Sequence, residues 1–200
     1  MGKLLFLPGA GASADFWKPV AERLPGGDPA HFFAWPGLGD EPAQPQISGI
    51  DDLVAMVVEQ MDRPCDLVAQ SMGALVAILA ALTAPAQLRS LVLCATSGGV
   101  PVDDLGGTDW RADYRREFPG AAPWITEIKM DLSDQIGAIT APALVLVGDR
   151  DPISPPAVGE RLSRLLPHAR LQRIRGGGHD LARTHADQVA TLIAEHLGRY

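Results

Sequence analysis

Six short apolar runs, spread along the chain and separated by helical patterns, limit the possible folds more than any other feature. They are KLLFL (3–7), AHFFAW (30–35), DLVAQ (66–70), SLVLCA (90–95), ALVLV (143–147) and LQRIR (171–175). The first five are almost continuously apolar, as strands buried on both faces are. Helical periodicity fills the gaps at Ala14–Leu24, Ile50–Met61, Met72–Thr83, Leu132–Ile139, Pro156–Leu166 and Thr184–Leu197. Strand-helix alternation implies βαβ crossovers. The expected fold is therefore α/β: a three-layer sandwich with a mostly parallel six-stranded sheet and helices on both faces. One domain over 1–200 is expected, with a small insertion at about 97–131 where the alternation lapses. A weakly structured stretch of that length is usually functional or disordered.

Charge narrows the partners. Seventeen Lys and Arg against 24 Asp and Glu leave a net charge of −7. A protein that tracks nucleic-acid phosphates would show a basic face instead. The five arginines between Arg161 and Arg175 have no interleaved aromatics and read as a solvated helix and strand edge. Cys65 and Cys94 each sit in a strand-like run, as small buried hydrophobes do, which points to a reducing compartment. The N-terminal apolar run, Leu4 to Leu7, is too short for a signal peptide. Gly73–Leu82 is too short to span a bilayer. A cytoplasmic location and no membrane partner are expected. Neither metal nor cofactor is expected, because no histidine pair has HExxH spacing and the cysteines lie far apart.

The strongest local signal is Ala69-Gln70-Ser71-Met72-Gly73, between a strand and an Ala/Leu-rich helix. A serine on such a sharp turn presents its hydroxyl above the sheet, at a helix N-terminus that favours negative charge. It needs a base. His31, His168, His185 and His196 fall in or beside regular elements; only His179 follows a loop glycine run, Gly176-Gly177-Gly178. An acid must then orient the imidazole. Asp149 and Asp151 both follow ALVLV, and either serves on chemistry alone; Asp180 is adjacent to His179 and diverges from it.

In this pattern the chain resembles the α/β-hydrolase family, whose order of nucleophile, acid and histidine matches Ser71, Asp151, His179. The resemblance favours Asp151, because GDRDPISP matches the family's Gly-x-x-Asp before a hydrophobic residue and proline. It implies an oxyanion hole made by the amides of Ala10 and Met72, and sheet order 2-1-3-4-5-6 with Ser71 at the reversal. Pro8 departs from the family's usual histidine, Ala69 from its usual glycine, and Trp35 from a common acidic residue. The two leading antiparallel strands of the family are expected to be absent, since the first core strand begins at Lys3.

The resemblance implies a serine hydrolase acting on carboxylic esters through an acyl-enzyme, with a small-molecule ester as its partner. Family lids follow the fourth core strand. Here that place holds only Ser97–Asp131, which implies a reduced lid and an open site. Trp110, Tyr114, Phe118 and Trp124 within it are candidates to line a substrate pocket. Two alternatives remain: a non-hydrolytic relative (lyase, cofactor-free oxidative enzyme or ligand receptor) and an NAD(P)-binding oxidoreductase. The latter rests on Gly9-x-Gly11-x-x-Ala14 but lacks an acid after the second strand. Oligomeric state is not legible.

Overall fold

A computed structural model describes residues 2–26 and 29–198. Strand β1 (Lys3–Leu7) leads into a 3-10 turn at Ala14–Trp17 and the short helix α1 (Lys18–Ala21). Then follow β2 (Ala30–Phe32), α2 (Ile50–Gln60), β3 (Cys65–Gln70), α3 (Met72–Thr83) and β4 (Leu88–Cys94). The segment after β4 carries α4 (Arg111–Glu117) and a 3-10 turn at Pro123–Thr126. The chain ends with α5 (Ser133–Ile136), β5 (Ala143–Gly148), α6 (Pro156–Leu165), β6 (Ala169–Ile174), α7 (Leu181–Thr184) and α8 (Ala186–Leu197).

All six strands join one sheet in the order β2-β1-β3-β4-β5-β6, and every pairing is parallel. Period-2 side-chain alternation divides each strand between two layers. Leu5, Leu7, Leu67, Ala69, Leu91, Leu93, Val145 and Val147 pack with α2, α3, α5 and α6 on one face. Leu4, Phe6, Val68, Val92, Leu144 and Leu146 pack with Trp17, Val20 and helices α7 and α8 on the other. This is the expected three-layer arrangement.

Boundaries shift for local reasons. The helix expected at Ala14–Leu24 is split, because Pro19 suits only a first turn and leaves no amide for a continuous helix. The run AHFFAW pairs only over Ala30–Phe32 before leaving the sheet edge toward Pro36. Ala95 ends β4 with φ at 49°, a backbone conformation rare outside glycine. The pattern at Thr184–Leu197 divides into α7 and α8 at His185. Both cysteines are buried free thiols, and burial pushes Cys65 to about 11, which makes it a poor nucleophile. Of the five arginines in 161–175, Arg161, Arg164 and Arg173 pair with Asp104 and Glu160. Among the described residues no helix is long and apolar enough to cross a membrane, and no cluster of metal-ligating side chains occurs.

Candidate active site

β3 ends at Gln70, and the chain turns through Ser71 into α3 with Ser71 at φ 53°, ψ −123°. A non-glycine residue in so sparse a region costs about 1–3 kcal/mol and persists only where its surroundings hold it. Here the Ser71 amide donates to the Cys94 carbonyl at 3.0 Å, and the Thr96 hydroxyl donates to the Ser71 carbonyl at 2.8 Å. Close approach of β1 completes the turn. A β-carbon on Gly73 would overlap the Pro8 carbonyl oxygen and stand 2.7 Å from that of Leu7. Ala69 fits because it is fully buried between Leu7 and Leu93 in the sheet.

His179 reaches the turn from the far side of the sheet's carboxyl edge. The glycine run closes tightly, with Gly176 at φ 77° and the Gly177 carbonyl receiving the Arg150 amide at 2.9 Å. The His179 Nε2 lies 2.9 Å from the Ser71 Oγ, and its Nδ1 lies 2.9 Å from the Asp151 Oδ2. Gln70, which sequence reasoning passed over, donates from Nε2 to the His179 carbonyl at 3.1 Å and ties the loop to the serine turn.

The two acids separate cleanly. Asp149 is exposed and accepts the Gly176 amide at 2.6 Å, bracing the glycine run. Asp151 has a fully buried side chain, and its Oδ1 accepts the Ile153 and Ser154 amides at 2.8 and 2.9 Å. Burial pushes its pKa up, but the hydrogen bond and charge of His179 and the two amides together outweigh that. The net effect holds the carboxyl below its ordinary value.

The segment expected to form an oxyanion hole lies against the same turn. A β-carbon on Gly9 would stand 3.2 Å from the Ser71 Cβ. The Gly9 carbonyl accepts the Ala12 amide at 3.2 Å, closing a turn around Ala10. Met72 opens α3, where first-turn amides have no partner within the helix. The dinucleotide alternative fits poorly. The Gln70 side chain fills the space above Gly9, and a β-carbon on Gly11 would stand 2.8 Å from the Phe118 ring. That leaves no gap for a pyrophosphate to approach the backbone.

A cleft of about 840 Å3 opens from Ser71 and Met72 beneath residues 97–131. Leu75, Val100, Val102, Trp110, Ile125 and Ile128 supply its apolar wall. Of the four aromatic candidates only Trp110 lines it. Tyr114 is buried, with its hydroxyl engaged by backbone groups, so it has no face free for a ligand in this cleft. Phe118 leans on Tyr114 and Gly11, and Trp124 packs on the core. Tyr114, Phe118 and Trp124 are not among the walls of this cleft.

The sequence model described as the alpha/beta hydrolase family matches residues 4–134, more than half of the chain. The chain belongs to the alpha/beta hydrolase family. A second model, the alpha/beta hydrolase fold, matches residues 108–186. Among curated relatives, the pimeloyl-[acyl-carrier protein] methyl ester esterase of Neisseria meningitidis serogroup A is 29% identical over 241 residues. That alignment covers 98% of this chain and 76% of the relative. The same-named esterase of the serogroup C strain FAM18 is also 29% identical, with 93% of it covered. Among solved structures, a thermophilic esterase from Thermogutta terrifontis superposes with a TM-score of 0.80 at 22% identity. It covers all of this chain and 90% of that one. A meta-cleavage product hydrolase from Pseudomonas fluorescens IP01 gives 0.80 at 16%, covering 100% and 91%. At these identities the structural matches establish the fold.

Proposed function

We propose that this alpha/beta hydrolase cleaves carboxylic esters through an acyl-enzyme formed on Ser71. The observation that carries the reading is the chain of contacts from Ser71 Oγ through His179 to the buried Asp151 carboxylate, assembled from three separate loops. His179 takes the hydroxyl proton as Ser71 attacks the acyl carbonyl, and Asp151 fixes the tautomer and stabilises the imidazolium. The Ala10 and Met72 amides receive the developing oxyanion. One such donor is worth about 2.7–4 kcal/mol in comparable sites. His179 then protonates the departing alkoxide, and a water repeats the sequence to release the acid. The names of the Neisseria relatives support an ester as the bond broken.

The cleft suggests which half of the ester goes where. The leaving oxygen must sit within reach of His179 Nε2, which lies 2.9 Å from Ser71 Oγ, while the cleft runs from Ser71 and Met72 toward Leu75, Val100 and Ile125. The apolar wall of this otherwise mixed cleft suits the acyl chain, and a small alcohol suits the histidine side. A short p-nitrophenyl acyl ester and a fluorophosphonate probe test the assignment. Turnover should vanish in Ser71→Ala, and the probe adduct should map to Ser71. Turnover surviving in that variant rejects the proposal.

A further inference from the structure

The backbone carbonyls that lead into the proposed oxyanion loop are held by aromatic side chains from three different parts of the chain. Trp17 Nε1 donates to the Leu7 carbonyl at 3.0 Å, and Trp35 Nε1 donates to the Pro8 carbonyl at 2.8 Å. The Gly9 carbonyl is taken by the Ala12 amide. The Ala10 carbonyl receives the Tyr114 hydroxyl at 3.1 Å. In a trans peptide the C=O and N–H point to opposite sides. Each held carbonyl therefore sets the N–H of the next residue: the Gly9 carbonyl that of Ala10, and the Ala10 carbonyl that of Gly11.

Tyr114 differs from the two tryptophans. Trp17 and Trp35 belong to the core beside β1, whereas Tyr114 sits on α4, in the segment that roofs the cleft. Its hydroxyl also accepts the Gly39 amide at 2.9 Å, so one oxygen joins α4, the Gly39 turn and the oxyanion loop. Burial raises the pKa of this hydroxyl, which keeps its proton available for donation at neutral pH. The Phe118 and Tyr114 rings lie over Gly11, whose missing side chain lets them close on the loop.

We infer that Tyr114 is a positioning residue: through its hydroxyl, the roof helix sets the orientation of Ala10 and hence the quality of the oxyanion hole. The inference rests on the oxyanion role proposed for the Ala10 amide. Tyr114 makes no contact with the reacting atoms; it anchors the Ala10–Gly11 peptide, on the other side of the Ala10 Cα from the Gly9–Ala10 peptide that carries the proposed donor amide. A roof helix that is properly seated thus completes the site, and one displaced from Gly39 and Ala10 leaves Ser71 and His179 in place with a loosened anion site.

Tyr114→Phe keeps the ring and removes only the hydroxyl. Its kinetics should be measured on a p-nitrophenyl ester per titrated active site, together with its affinity for a boronic acid that forms a tetrahedral adduct on serine. Misplacing a catalytic group by about 1 Å costs up to about 100-fold, so a partial loosening should lower kcat about tenfold. KM should stay within about twofold, and boronate affinity should fall in parallel with kcat, since only tetrahedral states use the anion site. A variant with unchanged kcat and boronate affinity overturns the inference. So does one that loses only melting temperature or only titratable sites. Activity surviving in Ser71→Ala would instead reject the proposed function itself, which separates the two failures.

Discussion

Gly73 and Pro8 are in closer contact than any side chain would permit: a β-carbon at position 73 would overlap the Pro8 carbonyl oxygen. The obstacle is backbone on both sides, so neither group can rotate away. Gly73→Ala should force β1 and α3 apart and destabilise the fold by about 1–3 kcal/mol, the usual range for overpacking. Activity should fall further than stability, because the displaced strand carries the loop beside Ser71. Gly120→Ala, which meets nothing within 4 Å, is the control. Melting curves and kcat/KM on both variants check the pair.

Asp151 and Asp149 should separate by mechanism. Asp151→Asn leaves a group of the same shape but removes the charge facing the imidazolium. It should lower kcat by about 10⁴-fold, as orienting carboxylates do elsewhere. Asp149→Ala removes only the brace on the Gly176 amide, and its kcat should fall by less than about tenfold with a lower melting temperature. Equal losses in the two variants would contradict the assignment.

Trp110 and Trp124 provide a test of the cleft. Trp110 lines it and Trp124 packs on the core, so Trp110→Ala should change the preferred acyl chain length at nearly constant stability. Trp124→Ala should lower stability by about 1–3 kcal/mol, because Trp124 is partly buried against the core, with preference unchanged. A panel of p-nitrophenyl esters of increasing chain length, run beside thermal melts, distinguishes the two.

Arg161 grips the roof of the same cleft from α6, donating to the Pro101 carbonyl and to Asp104 at 2.8 Å each. The hydrogen bond from Arg161 holds the Asp104 carboxyl below its ordinary value. A group with a lowered folded-state pKa stabilises in full above its unfolded value of about 3.9, and that contribution is lost as pH falls through the lowered value. The melting-temperature gap between the parent and Asp104→Asn should therefore be small, constant at neutral pH, and should close below about pH 4. A gap that widens on acidification would contradict the pairing.

The strands and the serine turn were legible because their signals are local. Buried parallel strands need unbroken apolar runs, and Ser71 needs a strand, a sharp turn and a helix within a few residues. Asp151 emerged from a short sequence context rather than from chemistry, since Asp149 stands equally close in sequence. Gln70 and Thr96 could not be read, because their partners lie 109 and 25 positions away. The aromatics of the roof divide for a related reason. Composition places four rings near the cleft, but hydroxyl pairing and helix direction decide which face it, and only Trp110 does. Tyr114 carried a hint, since a buried tyrosine hydroxyl usually needs a partner.

The strand order has a consequence for biosynthesis. Beyond β3 the sheet grows outward in the order of synthesis, and Ser71, Asp151 and His179 follow β3, β5 and β6. A nascent chain halted after β4 could align β1 to β4, yet would hold its serine with no imidazole beside it. On the proposed mechanism, Ser71 gains its base only when the last strand docks. Labelling of Ser71 becomes a report on whether the C-terminal end of the sheet has been added.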